Sequence, residues 1–294
     1  MQPTVIITGS SSGFGQQTAV KCAEKGFRVI ATMRNMEKAS VFRSEDLSED
    51  VKQKIEVWQL DVTDDTSIER FKEKAEQLDR LDVLVNNAGY AVGGFLEQVP
   101  LKEYRRQFDT NVFGVIAVTK AVLPVMRRQG YGKILNVSSV SGLIGFPGLS
   151  AYVSSKHALE GLSESLRFEL QPFGIDVALI EPGSFQTNIW SSGMKLPEEV
   201  HNPSSPYASY IKGLWSALNE ESRAQPGAVG DLMTGLMEKD RLKKLRYPVG
   251  AGVRTNVLLK RLLPWQWLEK AVLQRILGSR QTEGGKPDGR VQHS

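Results

Sequence analysis

The stretch "TVIITGSSSGFG", residues 4–15, joins a short apolar run to a turn that contains three glycines. An apolar run of this length is typical of a strand that is buried on both faces. Gly9 permits a tight turn, and Gly13 and Gly15 lack the Cβ atoms that would keep a backbone away from a phosphate. A helix starting here would add free N–H groups and its positive dipole end. The stretch therefore predicts a strand, a phosphate-binding loop and a helix, with a ligand-free glycine turn as the alternative.

The same rhythm continues through the first half of the chain. Longer segments with helical spacing lie at 16–25, 66–78, 101–128 and 151–173. Between them stand five more short runs rich in Val and Ile: "RVIAT" (28–32), "IEVWQL" (55–60), "DVLVN" (82–86), "KILNV" (133–137) and "DVALIE" (176–181). Alternation of this kind predicts an α/β fold, a Rossmann-type doubly wound parallel sheet.

After Glu181 the rhythm ends, and the segment 184–225, rich in Pro, Gly and Ser at its start, reads as a substrate lid. Two helices are expected, near 207–221 and 226–240, and "LRYPVG" (245–250) is a candidate last strand. We expect one Rossmann-type domain, residues 1–255, lid included. An amphipathic helical extension over 256–278 and a disordered tail over 279–294 follow it.

Composition narrows the function classes. The formal net charge is +4, which is too small to argue for nucleic acid, and a single cysteine, Cys22, excludes an internal disulfide framework. Three dispersed histidines predict no metal site. The N-terminus does not resemble a signal peptide, and no apolar stretch reaches the ~18 residues that a membrane span needs. These features favour a cytoplasmic protein.

The end of the second run bears on the choice of dinucleotide. An acidic residue at that place accepts from a ribose 2′-OH, whereas an arginine accommodates a 2′-phosphate. Here "ATMRN" offers Met33 and Arg34 and no carboxylate, which favours a phosphate partner over a solvated Arg34. Asp61 in "LDV" lies either near an adenine amino group or at the cap of the next helix, and the two interpretations are equally weighted.

A second constellation is "SAYVSSKHALEG", residues 150–161, in which Tyr152 and Lys156 share one helix face. A free phenol has a pKa of about 10, too high for proton exchange at neutral pH. An ammonium at ~4 Å would favour the phenolate by about 4 kcal/mol at an effective dielectric near 20. The pair therefore suits acid–base chemistry, although the spacing alone is common on exposed helices.

Further polar residues follow the strands that end at the same edge. "NVSSVSG" (136–142) presents Ser138 and Ser139, either of which can hold a carbonyl oxygen beside the phenol, and "NNAG" (86–89) closes the preceding strand. Ordinary turn chemistry is the alternative for both.

Taken together, "TGSSSGFG", "NNAG", "DTNVFG", "NVSS", "YVSSK" and "EPGSFQT" resemble the short-chain dehydrogenase/reductase family over about residues 4–190. The resemblance implies that Tyr152 exchanges the proton, that Lys156 binds the nicotinamide ribose and lowers the pKa of Tyr152, and that Ser139 orients the substrate carbonyl. It also implies that Asn111 supports a relay water beside Lys156, where the alternative is a polar residue at a helix kink. The remaining implied cofactor contacts are Gly9, Ser11, Ser12, Gly13, Phe14, Gly15, Arg34, Asp61, Val62, Asn87, Ala88, Gly89, Pro182, Gly183 and Thr187.

Arg34 matches the branch of the family that prefers NADP(H), although some members of that branch also carry a basic residue where Ser12 stands. "ATMRN" and the extended C-terminus look most similar to the 17β-hydroxysteroid and retinol dehydrogenases. The expected reaction interconverts an apolar ketone or aldehyde and its alcohol by hydride transfer. Rival hypotheses are a non-catalytic NADP(H)-binding regulator and an enzyme acting on a nucleotide-sugar.

The variable segments 92–96, 143–149 and 184–215 are expected to form an apolar substrate pocket. They contain Phe95, Leu143, Phe146, Phe185, Trp190, Met194, Tyr210 and Trp215. In the extension, Trp265, Leu268, Val272 and Ile276 form an apolar stripe after Pro264. Docking on the domain is the simplest interpretation of that stripe. A lid or a subunit interface in a homo-oligomer comes next, and membrane contact is the least favoured.

Overall fold

The computed structural model describes residues 2–185, 194–208, 210–211 and 227–277. Its strands are β1 (Thr4–Ile7), β2 (Arg28–Met33), β3 (Ile55–Gln59), β4 (Val83–Asn86), β5 (Ala91–Val92), β6 (Gly132–Val137), β7 (Ile175–Pro182), β8 (Met194–Lys195) and β9 (Arg246–Val249). Seven of them form one parallel sheet in the order β3-β2-β1-β4-β6-β7-β9, and β5 pairs with β8 in a second, two-stranded parallel sheet. The predicted Rossmann-type fold is confirmed.

The described α-helices are α1 (Gly13–Glu24), α2 (Glu49–Lys54), α3 (Asp65–Glu76), α4 (Leu101–Phe108), α5 (Gly114–Gln129), α6 (Ser150–Leu170), α7 (Gly227–Met237), α8 (Val253–Leu262) and α9 (Trp265–Leu277). They cover the main sheet on both sides. One core packs α1 and α7 against the sheet through Cys22 and Met233, and the other packs α3 and α5 through Phe71 and Val122. Two cores on opposite faces explain why the central strands are apolar throughout.

Strand β3 departs from the prediction that every run is buried on both faces. Trp58 is buried, but Glu56 and Gln59 are exposed. The strand lies at the edge of the sheet with β2 as its neighbour, so its outer margin meets solvent. Charged and polar side chains on an edge strand discourage pairing with another chain.

The predicted helix over 101–128 is interrupted. A π-helical turn, Asp109–Phe113, joins α4 to α5 and places Asn111 at the junction. The 29-residue run Leu101–Gln129 also contains an 18-residue window whose mean hydropathy of 1.3 suits a membrane span, contrary to the sequence-based expectation. Half of that window is buried inside the protein, where Val118 and Val122 pack in the core.

One feature of the lid region, the strand pair β5–β8, could not be predicted from periodicity. The pair β5–β8 joins residues about a hundred positions apart, and such a long-range pairing leaves no local pattern. The predicted helix near 226–240 corresponds to α7 and the last strand to β9. Most of the expected helix at 207–221, the lid residues 186–193 and 212–225, and the tail 279–294 lie outside the described residues.

Candidate active site

A cleft opens at the carboxyl edge of the parallel sheet, where open α/β folds bind ligands. The residues that line it come from the ends of three strands, β4, β6 and β7, and from the start of two helices: Phe14, Asn87, Gly89, Tyr90, Val137, Ser138, Ser139, Tyr152, Lys156, Pro182, Gly183 and Phe185. Ten of these twelve residues, all but Tyr90 and Val137, were singled out by sequence analysis, although they are spread over about 170 positions of the chain.

Tyr152 and Lys156 lie one turn apart near the start of α6, with 4% and 7% of their surfaces exposed. The Nζ atom of Lys156 donates to the backbone oxygen of Val137 at 2.7 Å and lies 5.7 Å from the centre of the Tyr152 ring. The exposed-helix alternative for this pair is wrong, because both side chains are buried under the cleft. Burying the Tyr152 phenol and the Lys156 ammonium costs free energy, so their burial is not what an ordinary surface pair would show.

The expectation that Lys156 pulls the pKa of Tyr152 down is not met in this structure. Burial raises the pKa of the Tyr152 phenol to about 12, and a hydrogen bond with Ser139 opposes that rise. Burial also lowers the pKa of Lys156 to about 8, against the attraction of Glu160. Removal from water penalises each charged form more strongly than the ammonium favours the phenolate. Tyr152 is consequently a neutral, proton-bearing acid at neutral pH.

The two serines of "NVSS" have different partners. Ser139 hydrogen-bonds Tyr152, and its Oγ accepts from the backbone N–H of Ser141 at 3.1 Å, which fixes the side chain at the start of a short 3₁₀ turn. Ser138 instead faces Glu160 behind the cleft. The structure therefore places Ser139, not Ser138, beside the phenol.

Asn111 is 1% exposed and is committed to structural hydrogen bonds. Its Nδ2 donates to the Tyr90 carbonyl at 3.2 Å and to Ser155 Oγ at 3.1 Å, and its Oδ1 accepts from the Tyr90 N–H at 3.3 Å. It thus ties the π-helical turn to the loop after β4 and to the residue preceding Lys156. π-Helical turns recur at functional sites, so the helix-kink interpretation and the site interpretation both describe this residue.

The glycine loop is shaped by the neighbouring "NNAG" segment. A Cβ on Gly15 would lie 2.5 Å from Asn87 Nδ2, and one on Gly9, whose φ is +67°, would lie 2.7 Å from Ala88 Cα. The Asn87 amide donates to the carbonyls of Thr8 and Gly9 at 2.9 and 3.1 Å. Gly9 and Gly15 are therefore required first by close packing between two loops, a reason that sequence analysis did not foresee.

The first turn of α1 remains suited to an anion. Ser12 precedes the helix but makes no side-chain cap hydrogen bond, so the N–H groups of the first turn keep their donor capacity. Gly13 adopts φ +59°, a conformation that few side chains tolerate. Ser11 is half-buried beside it. Phe14 packs edge-on against Phe185 at 5.5 Å between ring centres, which places the latter in the core at the base of the cleft.

The part of the predicted cofactor site that follows β2 and β3 is open to solvent. Arg34 follows β2 and is exposed, while Met33 is buried in the core. Asp61 accepts from the N–H and hydroxyl of Thr63 at 3.0 and 2.7 Å, and it is Asp64 that caps α3. The helix-cap alternative for Asp61 is therefore wrong. Val62 packs against Gly114, because a Cβ added to Gly114 would lie 2.8 Å from Val62 Cγ2.

The far wall is made by the end of β7. Pro182 is the last residue of that strand, and the N–H of Gly183 donates to the Val249 carbonyl at 2.9 Å. A Cβ on Gly183 would lie 2.4 Å from Val253 Cγ2. Thr187, the third residue predicted here, lies outside the described residues, as do Trp190 and Trp215.

Sequence analysis overlooked a partly buried ionic cluster behind Lys156, in which Glu160 and Glu181 are buried, Arg246 is half-buried and Glu164 is exposed. Arg246 on β9 contacts Glu160 at 3.0 Å, Glu164 at 2.6 Å and Glu181 at 3.3 Å. Burial raises the pKa of Glu160. Glu160 and Glu164 continue the i+4 spacing that begins at Tyr152, and this was the available signal. The cluster couples the catalytic helix to the last strand.

The described part of the lid is anchored beside the cleft. Lys195 pairs with the buried Glu103 at 2.8 Å, Phe95 stacks on Tyr207 with 4.7 Å between ring centres, and Tyr210 meets the same phenyl ring edge-on. Leu143, Phe146 and Met194 are half-buried. Of the described residues predicted for the substrate pocket, only Phe185 lines the cleft, and a substrate role for the others stays a prediction.

The chain belongs to the short-chain dehydrogenase family, whose family model matches residues 3–195. It is 50% identical over 273 residues to an uncharacterized oxidoreductase, YusZ, of Bacillus subtilis, which covers 92% of this chain and 97% of that protein. It is 43% identical to 3-ketodihydrosphingosine reductase of Bacteroides thetaiotaomicron, over 75% of this chain and 78% of that protein. Bovine retinol dehydrogenase 8 is 38% identical over 74% and 71% of the two chains.

Solved structures agree with the fold. A short-chain dehydrogenase from Streptomyces avermitilis has a TM-score of 0.76 and 33% identity, covering 92% of this chain and 99% of that one. ElxO with NADP bound has a TM-score of 0.70 and 28% identity, covering 87% and 100%. The chain is therefore an oxidoreductase of a family whose structural neighbours bind nicotinamide dinucleotides.

Proposed function

We propose that the protein is an NADP(H)-dependent oxidoreductase that interconverts an apolar ketone or aldehyde and its alcohol. The observation that carries the proposal is the buried Tyr152–Ser139 hydrogen bond, with the Lys156 ammonium over the same ring, at the edge of the sheet below the N-terminus of α1. Burying three polar groups at one cleft costs free energy, and a protein that only binds a ligand would gain nothing that offsets this cost.

The residues present fit a dinucleotide. The uncapped first turn of α1 and the φ of Gly13 suit a pyrophosphate, and exposed Arg34 suits a ribose 2′-phosphate by a charge-assisted, bidentate contact. Tyr152 and Lys156 suit the nicotinamide ribose, and Pro182 and Gly183 suit its carboxamide. The structure of ElxO with NADP bound, a relative in fold and sequence, supports the choice of NADP.

The proton chemistry follows from the burial of Tyr152. When bound, the cofactor supplies or accepts the hydride. In carbonyl reduction, the Tyr152 hydroxyl donates its proton to the substrate oxygen as that oxygen gains negative charge, and Ser139 Oγ–H holds the same oxygen in place. Lys156 then stabilises the phenolate that remains. In alcohol oxidation the same groups act in reverse.

The substrate side favours an apolar molecule. Phe95, Tyr207 and Tyr210 cluster beside the cleft, and Met194 lies nearby. The names of two relatives, 3-ketodihydrosphingosine reductase and retinol dehydrogenase 8, describe activities on long apolar molecules and support this class. We place the enzyme in the cytoplasm, as for a catalytic domain that binds a cytoplasmic dinucleotide.

The Tyr152→Phe variant tests the proposal. It keeps the ring but removes the proton, so turnover of a reducible ketone or aldehyde should fall by ~10²–10⁴-fold, while NADPH binding measured by fluorescence should change little. Substrates come from a panel of steroid, retinoid, acyl and aryl carbonyls, followed by NADPH absorbance. Tyr131→Phe, at an exposed tyrosine far from the cleft, is the matched control.

The result also separates the two functional classes. Near-normal turnover in Tyr152→Phe removes the acid–base assignment. Tight NADPH binding by the wild-type protein without turnover of any substrate in the panel favours a regulatory NADP(H)-binding protein on this fold.

A further inference from the structure

The C-terminal helical segment, residues 253–277 with α8 and α9, leaves apolar side chains uncovered. Fourteen large apolar side chains are exposed among the described residues of the chain, and seven of them lie in this segment, residues 253–277. They are Leu258, Leu259, Leu262, Trp265, Trp267, Val272 and Leu273. A concentration of half the exposed large apolar residues in 25 positions marks an interaction surface.

Within this C-terminal segment, only α8 has described contacts with the rest of the domain. Val253 is 3% exposed and packs over Gly183, and Lys260 donates to the Leu143 carbonyl. From Trp265 to Gln274 every side chain is exposed except Leu268, which is half-buried. Docking on the domain, the simplest sequence-based interpretation, is therefore wrong for α9. The same exposure argues against α9 as a cover for the cleft.

The charge of the C-terminal segment indicates what kind of partner would bind it. Residues 253–277 contain five basic residues and one acidic residue. Their net charge of +4 equals the formal net charge of the whole chain, so the rest of the protein is neutral in sum. A surface on which Leu and Trp alternate with Lys and Arg suits a bilayer interface, since Trp rings favour the headgroup level and basic residues are attracted to anionic lipids.

A second copy of the chain is a poorer occupant. In a two-fold dimer the same patch would face itself, and two +4 segments would be brought together. Like charges placed across an interface weaken it. An anionic surface faces no such penalty.

We infer that residues 253–277 form a peripheral docking surface for an anionic lipid bilayer. Its first helix, α8, lies on the same side of the molecule as the catalytic cleft, because it starts just after the carboxyl end of β9 and its Lys260 contacts Leu143, which follows β6. Docking there brings the cleft close to apolar molecules dissolved in the membrane. This docking surface does not depend on the proposed reaction, because it follows only from the exposure and charge of residues 253–277.

Vesicle binding by the full chain tests the inference. We expect the protein to cosediment with vesicles of phosphatidylcholine containing 30% phosphatidylglycerol, about tenfold more weakly with phosphatidylcholine alone, and less at high salt. The double variant Trp265→Ser/Trp267→Ser should lower the partition coefficient at least tenfold. Brominated lipids should quench tryptophan fluorescence in the wild-type protein and much less in the variant.

The matched control removes two apolar side chains that are equally exposed elsewhere, Phe168→Ser with Leu101→Ser, and should bind vesicles like the wild type. Circular dichroism and NADPH binding confirm that both variants are folded. Equal loss in the control, or no binding of the wild type to either vesicle, overturns the inference. So does a wild-type dimer in sedimentation that becomes a monomer in the tryptophan variant without any lipid binding, since a second copy would then be the occupant.

Discussion

The two ends of the cleft are built differently. At the chemical end, Tyr152, Lys156, Ser139 and Asn111 are at most 7% exposed, and each is held by a described hydrogen bond. At the nucleotide end, Arg34 is exposed, and Asp61 bonds its own turn. The groups that we propose to exchange protons are buried and fixed, whereas the arginine that we propose to select the cofactor lies at the surface. Substitutions at the first end should alter both rate and stability, and those at the second only preference.

The largest effect is expected for Lys156→Met. Loss of the charge that stabilises the phenolate should reduce turnover by ~10²–10⁴-fold. The variant should nevertheless be no less stable than the wild type at pH 7, because the buried ammonium, with its pKa lowered to about 8, costs on the order of 3 kcal/mol relative to an ordinary lysine.

The pH dependence of that stability has a definite sign. A lysine whose pKa is lowered on folding makes its most favourable contribution above its ordinary pKa, and that contribution is lost as pH falls through 8. Between pH 7 and 9.5, urea denaturation should therefore show the wild type gaining about 2 kcal/mol relative to Lys156→Met. Glu160, Arg246 and Tyr152 face the same group and are unchanged in the variant. A gap that does not move with pH would show that Lys156 is not strained by burial.

A smaller effect is expected between the two ends, at the glycine loop. In Gly15→Ala, the new Cβ would approach Asn87 Nδ2 to 2.5 Å and Gly9 O to 2.6 Å. Overpacking of this kind should destabilise the fold by about 1–3 kcal/mol and weaken NADPH binding.

Gly161→Ala is the matched control for that prediction. It lies within α6, and its Cβ would meet nothing within 4 Å, so it should leave stability unchanged or raise it by up to about 1 kcal/mol. Thermal unfolding of Gly15→Ala and Gly161→Ala measures the difference in stability between them. If both behave alike, the close packing of the glycine loop on "NNAG" does not limit the site.

The smallest effect is expected at the exposed end. Arg34→Leu removes the proposed partner of the 2′-phosphate and leaves the buried Met33 in place. A charge-assisted hydrogen bond is worth roughly 1.5–3 kcal/mol, so the ratio of kcat/KM for NADPH and NADH should shift at least tenfold toward NADH.

Arg43→Leu, at another exposed arginine near α2, should leave that ratio unchanged. A wild-type protein that already prefers NADH would contradict both the Arg34 assignment and the proposed cofactor. Little change in the melting temperature of Arg34→Leu would confirm that this end is separate from the packed one.

Much of the fold was available from the sequence because it rests on local periodicity. Six apolar runs alternate with amphipathic segments. Each run corresponds to a strand within one residue, and each amphipathic segment to a helix within about three residues, except that 101–128 forms two helices. What local patterns could not supply was long-range: the edge position of β3, the β5–β8 pair and the π-helical turn at Asn111. These depend on which strands and helices become neighbours.

The sequence by itself determined the α/β alternation, the family resemblance and the residues that meet at one sheet edge, because strand order along the chain and the i+4 spacing of Tyr152 and Lys156 are local properties. Only the tertiary structure decided the protonation state of Tyr152, the use of Gly15 for packing and the exposure of α9. Desolvation, close contact and solvent accessibility are set by atoms distant in the chain, and the pKa of Tyr152, raised to about 12 by burial, shows that they can outweigh the nearest charge.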